Sequence, residues 1–139
     1  MADSTYGFKP RYRLSGGPFT YVDLYYDDTE TLTAGDMVTL ESGEVDLAVA
    51  GDAAILGVVV ETGSGTASVT KILCIVDSDA VYGVYDANAR LMGATLDISG
   101  STGAMTVTTT SHADLTVVAP STASEETLVM ITHGEHAFN

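Results

Sequence analysis

An all-β fold is what the 139-residue sequence predicts: a small barrel or sandwich with an extended N-terminal arm and at most one short helix. Three observations predict it. β-branched and aromatic residues together with 14 glycines favour pleated segments broken by turns. Short apolar runs recur between clusters of Gly, Ser, Thr and Asp, at a spacing that suits strands. The stretch from Ala34 to Glu61 reads as consecutive strands headed by a self-consistent hairpin. The length is that of one domain, and 45% hydrophobic content suffices for one core.

Residues 1–18 read as the arm. Tyr6-Gly-Phe-Lys-Pro-Arg-Tyr-Arg13 interleaves aromatic and basic side chains, and Gly16-Gly17-Pro18 follows as a hinge. Tyrosine with arginine is the composition of interface anchors. Tyr6, Phe8, Lys9, Arg11, Tyr12 and Arg13 are therefore the candidate contact residues. In an extended chain the three cations share one side. The bland alternative is a disordered terminal tail, which is usually poor in aromatics; in an ordered arm the cations can turn back onto the chain's own acidic body or reach a separate partner. The partner is favoured, because burying the aromatics adds binding energy that a surface ion pair lacks. On that reading, deleting residues 2–15 leaves a folded body over 19–139.

Phe19–Tyr26 is the first strand of that body. Val22, Leu24 and Tyr26 alternate toward a core; Phe19, Tyr21 and Tyr25 form the opposite stripe, a candidate subunit interface, unless both faces are buried. Asp27-Asp28 opens a polar loop. Met37–Glu41 and Glu44–Val49 form a hairpin around Ser42-Gly43, setting Leu40 against Val45 and Val38 against Leu47. Ala-Gly-Asp occurs at 34–36 and again at 50–52, each copy a turn in which Gly reverses the chain and Asp bonds the backbone. Ile55–Val60 is apolar on both faces, as a fully buried strand would be. A loop over 62–68 leads to strands at Val69–Asp77 and Ala80–Asp86. A short helix is read from Asp86, as N-cap, to Gly93. Strands near 94–98, 105–110 and 114–118, a loop from Pro120 to Glu126 and a last strand at Thr127–His133 complete the chain. The core is expected to contain Val38, Leu40, Val45, Leu47, Val58, Val60, Leu73, Ile75, Leu128 and Met130.

No catalytic constellation is visible. Gly63-Ser64-Gly65 lacks the spacing of a nucleophile elbow, and Gly100-Ser-Thr-Gly103 has no phosphate-binding lysine. Asp77, Asp79 and Asp86 read as solvated strand ends more readily than as a Ca²⁺ site. His133-Gly-Glu-His136 lacks a fourth ligand for a metal, and His112 stands alone in a polar loop. No metal, cofactor or enzymatic activity is expected. Cys74, the only cysteine, sits in an apolar run and reads as a buried structural thiol. No apolar run has membrane-spanning length, and the N-terminus lacks a signal-peptide core.

Charge is unevenly distributed. Residues 1–20 carry Asp3 against Lys9, Arg11 and Arg13; residues 21–139 carry 18 acidic groups against Lys71 and Arg90. Such a body repels nucleic acid, so direct nucleic-acid binding is not expected. It suits dense display on a particle, and equally a saline environment.

Gly17-Pro18-Phe19, Tyr25-Tyr26, Gly35-Asp36-Met-Val-Thr-Leu, Ala50-Gly51-Asp52 and Gly57-Val-Val-Val together resemble the head decoration (cement) proteins of tailed bacteriophages, the family of the lambda head decoration protein. The resemblance spans residues 7–98. Asp77-Ser78-Asp79-Ala80 departs from the Asp-Asp-Pro element that relatives show. The resemblance implies a β-tulip-like barrel and trimers on the outer surface of the capsid. It also implies the major capsid protein and further copies of the chain as partners, with the shell reinforced against internal DNA pressure and no enzymatic role. A β-sandwich carbohydrate-binding module and a tail or fibre protein of the virion are the competing readings.

Overall fold

Alternation and loop length dictate the register of the hairpin, and the register forms as expected. In a computed structural model, which describes residues 6–26, 31–41, 43–52, 54–64, 71–109 and 112–138, β4 (Met37–Glu41) pairs with β5 (Glu44–Leu47). Leu40 lies opposite Val45 and Val38 opposite Leu47. Both Ala-Gly-Asp copies build the same turn. Thr33 and Asp36 close the first, with the Asp36 amide donating to the Thr33 carbonyl (2.9 Å) and the Thr33 amide to Asp36 Oδ2 (2.9 Å). Val49 and Asp52 repeat both bonds at 3.2 and 2.8 Å. Gly35 and Gly51 sit at φ 98° and 92°, the position of a type II turn that needs positive φ.

The remaining strands are β1 (Lys9–Arg13), β2 (Tyr21–Tyr25), β3 (Thr31–Leu32), β6 (Ile55–Val59), β7 (Gly63–Ser64), β8 (Lys71–Ile75), β9 (Ala80–Asp86), β10 (Thr95–Ser99), β11 (Thr106–Thr109), β12 (Leu115–Val117) and β13 (Glu125–Ile131). They form a six-stranded antiparallel sheet ordered β1-β9-β13-β12-β10-β11 and a five-stranded one ordered β2-β8-β6-β4-β5, with β3 and β7 as a separate pair. The fold is all-β, with no helix among the described residues. The barrel expectation needs correction, because the five-stranded sheet curls without closing. Tyr26, just beyond β2, makes a single parallel bridge to Val45 of β5 in place of a ladder.

Two apolar clusters follow from this shape. The larger lies between the sheets and joins Met37, Ile55, Val58 and Ile75 to Tyr82, Val84, Leu96, Leu115, Val129 and Ile131. The smaller fills the concave side of the curled sheet with Tyr26, Leu32, Val38, Val45, Leu56, Val59, Ile72 and Cys74. β6 serves both clusters, and each of its residues is buried. Between Val38 and Thr39 the β4–β6 register shifts: Val38 faces Gly57 and Thr39 faces Ile55. The bulge leaves Leu56 without a partner on β4 and resets the alternation, so Val58 faces the six-stranded sheet and Val59 the concave side.

Several expectations are corrected. Residues 6–14 belong to the body, because β1 is the edge strand of the larger sheet, paired to β9, and Phe8 is fully buried between the sheets. Leu40 is 37% exposed at the mouth of the curled sheet, although it shares a face with buried Val38. Leu47 and Val60 are half-buried at the cluster margins, and Leu73 is half-buried between inward Ile72 and Cys74 without joining either cluster. Leu128 and Met130 are half-buried and outward; Thr127 and Val129 turn inward because β13 pairs them with Val84 and Tyr82. The apolar run Leu-Val-Met-Ile carries no alternation that could have chosen between its faces. No helix follows Asp86. Its carboxylate accepts from the Asn88 amide (3.0 Å), as an N-cap would, but the backbone from Arg90 to Ala94 bonds to residues 117–121. Residues 27–28, Ser42, 65–70 and Thr110, which fall within loops, the hairpin turn and strands read from the sequence, lie outside the described residues.

Candidate interaction surface

β2 is an edge strand, paired to β8 from Tyr21↔Ile75 to Tyr25↔Lys71. Its alternation follows the expectation: Val22 and Leu24 turn in, while Tyr21 is 54% and Tyr25 47% exposed. Phe19 is half-buried against the larger core and meets Tyr21 edge-on, with 6.5 Å between centroids. Lys71 Nζ lies 5.0 Å from the Tyr25 ring centroid, a cation–π contact that leaves much of the ring accessible. Asp23 is exposed between the two tyrosines. A charge at the centre of an edge strand blunts pairing with another strand, which points contacts here to side chains.

The aromatic-basic segment is distributed over the body. Gly7 and Gly35 approach backbone to backbone, with the Phe8 amide donating to the Gly35 carbonyl (2.8 Å) and the Gly7 amide to Met105 (2.8 Å). That crossing delivers Phe8 into the core. Arg11, at the bulge in β1, reaches Glu126 Oε1 at 2.6 Å, two strands away. Gly83 on the intervening strand makes this possible, since Glu126 occupies the space a Cβ there would take. Arg13 donates from Nε to Asp79 (2.8 Å), and its Nη1 lies 3.6 Å from Asp77. Lys9 is half-buried in β1. Of the proposed contact residues, Tyr6 and Tyr12 present rings about half exposed, while Arg11 and Arg13 are held by the protein's own carboxylates.

Asp77 and Asp79 thus have a structural role. Asp77 accepts from the Thr20 amide (2.7 Å) and Asp79 from the Ser15 amide (3.2 Å), so the β8–β9 turn clamps the end of β1 and the start of β2. Burial alone would raise the Asp79 carboxyl; hydrogen bonds from Arg13 and Ser15 outweigh it and hold the group below its ordinary value. Asp86 holds Arg90, with Nε to Oδ2 at 2.6 Å. His136 is buried, its Nδ1 accepting from the Phe138 amide at 3.0 Å, whereas His133 is exposed. No group of three or more His, Cys, Asp or Glu suited to a metal occurs among the described residues. Cys74 is buried, and burial, with smaller contributions from Asp23 and Glu61, pushes its thiol up to about 12, leaving it unreactive at neutral pH.

One exposed apolar feature escaped the sequence reading. Leu91 and Met92 are 79% and 70% exposed on a tight turn, closed by the Ala94 amide on the Leu91 carbonyl with Gly93 at φ 88°. The signal was present: Met-Gly ahead of a strand suits a type II turn as well as a helix stop. No family model matches the chain, and no curated protein matches it.

Proposed function

We propose that the protein is a non-enzymatic capsid decoration protein, which attaches as trimers to the outer surface of a tailed-virus head and reinforces the shell. The sequence resemblance suggests the role. The observation that carries it furthest is the β2 edge, where Tyr21 and Tyr25 stand exposed on a body of net charge −14. Tyrosines of this kind anchor protein interfaces at low entropic cost. The acidic surroundings suit a capsid surface rich in Lys and Arg. Attachment through a free arm is replaced by attachment through the body: the β2 stripe, exposed Tyr6 and Tyr12, and the Leu91–Met92 turn.

The test is imaging of heads from the virus that encodes the chain, with the protein removed and then added back. The proposal expects threefold groups of density on the outer surface, with occupancy falling when Tyr21 and Tyr25 are both changed to Ala. Density on the tail, grouping other than threefold, or full occupancy by the double variant would overturn it.

A further inference from the structure

A second surface, separate from β2, has the makings of a ligand site. Between the end of β9 and β11 lies a cleft of about 350 Å³, lined by Tyr85, Asp86, Asn88, Arg90 and the threonine-rich strand Thr106–Thr109. That volume is at the lower end of the ~300–1,000 Å³ typical of small-molecule sites. Its polar wall is built: Asp86 is buried and grips Arg90 in a two-point pair, Nε to Oδ2 at 2.6 Å and Nη2 to Oδ1 at 3.2 Å. Asp86 Oδ1 also accepts from the Asn88 amide, which fixes the loop carrying Asn88.

The electrostatics select the ligand. Arg90 is neutralised by Asp86, and the molecule carries a net charge of −14, so a small anion gains no free cation and meets a repulsive field. A small cation finds its carboxylate already paired. A neutral polyol meets neither penalty. Arg90 Nη1 makes no hydrogen bond to protein among the described residues and remains a donor. The Asn88 side-chain carboxamide and the threonine hydroxyls both donate and accept, as vicinal hydroxyls require. Tyr85, half-buried, adds an aromatic surface for the apolar face of a pyranose ring.

We propose that this cleft binds a neutral sugar, one or two pyranose units at the end of a glycan. Sugar binding here does not rest on the docking reading: although the Leu91–Met92 turn adjoins Arg90, the titration uses the free protein, so either reading can fail without the other. The test titrates the full-length, ¹⁵N-labelled protein with glucose, galactose, N-acetylglucosamine and maltose, with glucuronate and N-acetylneuraminate as charged comparators. The expected result is saturable amide shifts confined to Tyr85–Arg90 and Thr106–Thr109 for at least one neutral probe, with a Kd of about 1 mM or weaker. Asn88→Ala and Tyr85→Ala should each weaken binding by roughly tenfold. Asn88 is exposed, so its variant decides the matter if loss of Tyr85 disturbs the fold. The proposal is overturned if no neutral probe shifts these amides, if the shifts fall elsewhere, if Asn88→Ala leaves the Kd unchanged, or if the charged sugars bind more tightly.

Discussion

Gly57 has little freedom to change. A Cβ there would stand 1.9 Å from the Ile75 carbonyl oxygen, which is backbone in the neighbouring strand and cannot step aside. Gly57→Ala is expected to cost about 3 kcal/mol or more, read as a lower urea midpoint. Gly83 offers the contrast, because its Cβ would meet the head of Glu126, a flexible side chain. Gly83→Ala should displace Glu126 from Arg11, and since that pair is well exposed the loss should stay within about 1 kcal/mol. His136 supplies a pH dependence. Burial lowers its pKa, against smaller opposing pulls from the Leu56 and Val76 backbones and from Asp77. Its neutral form accepts the Phe138 amide, while neighbouring Glu135 and Ala137 bond to Ile55. The unfolded imidazole takes its proton first, so stability should fall as pH drops through 6.5 and level off below the folded value. Asp114 has the opposite sign. Burial raises its carboxyl, while amides of Ile98 and Gly51 pull it back, so its contribution to stability grows as pH falls through the raised value toward 3.8. The histidine slope is therefore best measured between about pH 7.5 and pH 5.5, and His136→Gln should flatten it.

At the scale of elements, β1 carries the strongest prediction. Removing residues 2–15 takes away an edge strand, the Arg13–Asp79 clamp and fully buried Phe8, so the truncated chain should be severely destabilised. Phe8→Ala alone should cost about 3–5 kcal/mol in chemical denaturation. A cooperative, wild-type-like transition in the truncated protein would show that β1 is dispensable. How legible each element was follows from where its determinants lie. The register of the β4–β5 hairpin could be read to the residue, because a two-residue loop and period-two alternation are both local, although β5 ends at Leu47 and not at Val49. The twin Ala-Gly-Asp turns were legible for the same reason. β1 was not: Lys9-Pro-Arg-Tyr-Arg has no apolar alternation, and its partners Asp79 and Glu126 lie 66 and 115 residues away from Arg13 and Arg11. The segment after Asp86 had a sound capping residue and lost its helix to backbone bonds from residues 117–121, which no window around residue 86 contains. Of the candidate surface, the Tyr21 and Tyr25 stripe was visible as alternation. The cleft beside β11 was not, since it exists only once β9 and β11 are brought together.

At the scale of the whole molecule, charge dominates. A net charge of −14 on 139 residues means that folding concentrates like charge, and the compact state carries more self-repulsion than the extended chain. The favourable ion pairs are few and specific: Arg11–Glu126, Arg13 with Asp77 and Asp79, and Arg90–Asp86 among the described residues. Arg11 and Glu126 are well exposed and already weakened by solvent, whereas Arg90–Asp86 is largely buried and screened little by salt. Added salt therefore removes much repulsion and little attraction, because the Debye length contracts from about 10 Å at 0.1 M to about 3 Å at 1 M. The melting temperature should rise with NaCl across that range. It should rise less in a variant with several exposed carboxylates, such as Asp23, Glu44 and Glu61, changed to their amides. Sodium chloride is the appropriate salt, because sulfate would stabilise by strengthening apolar burial and confuse the two effects. A flat or falling melting temperature would mean that the arginine pairs outweigh the field of the acidic body.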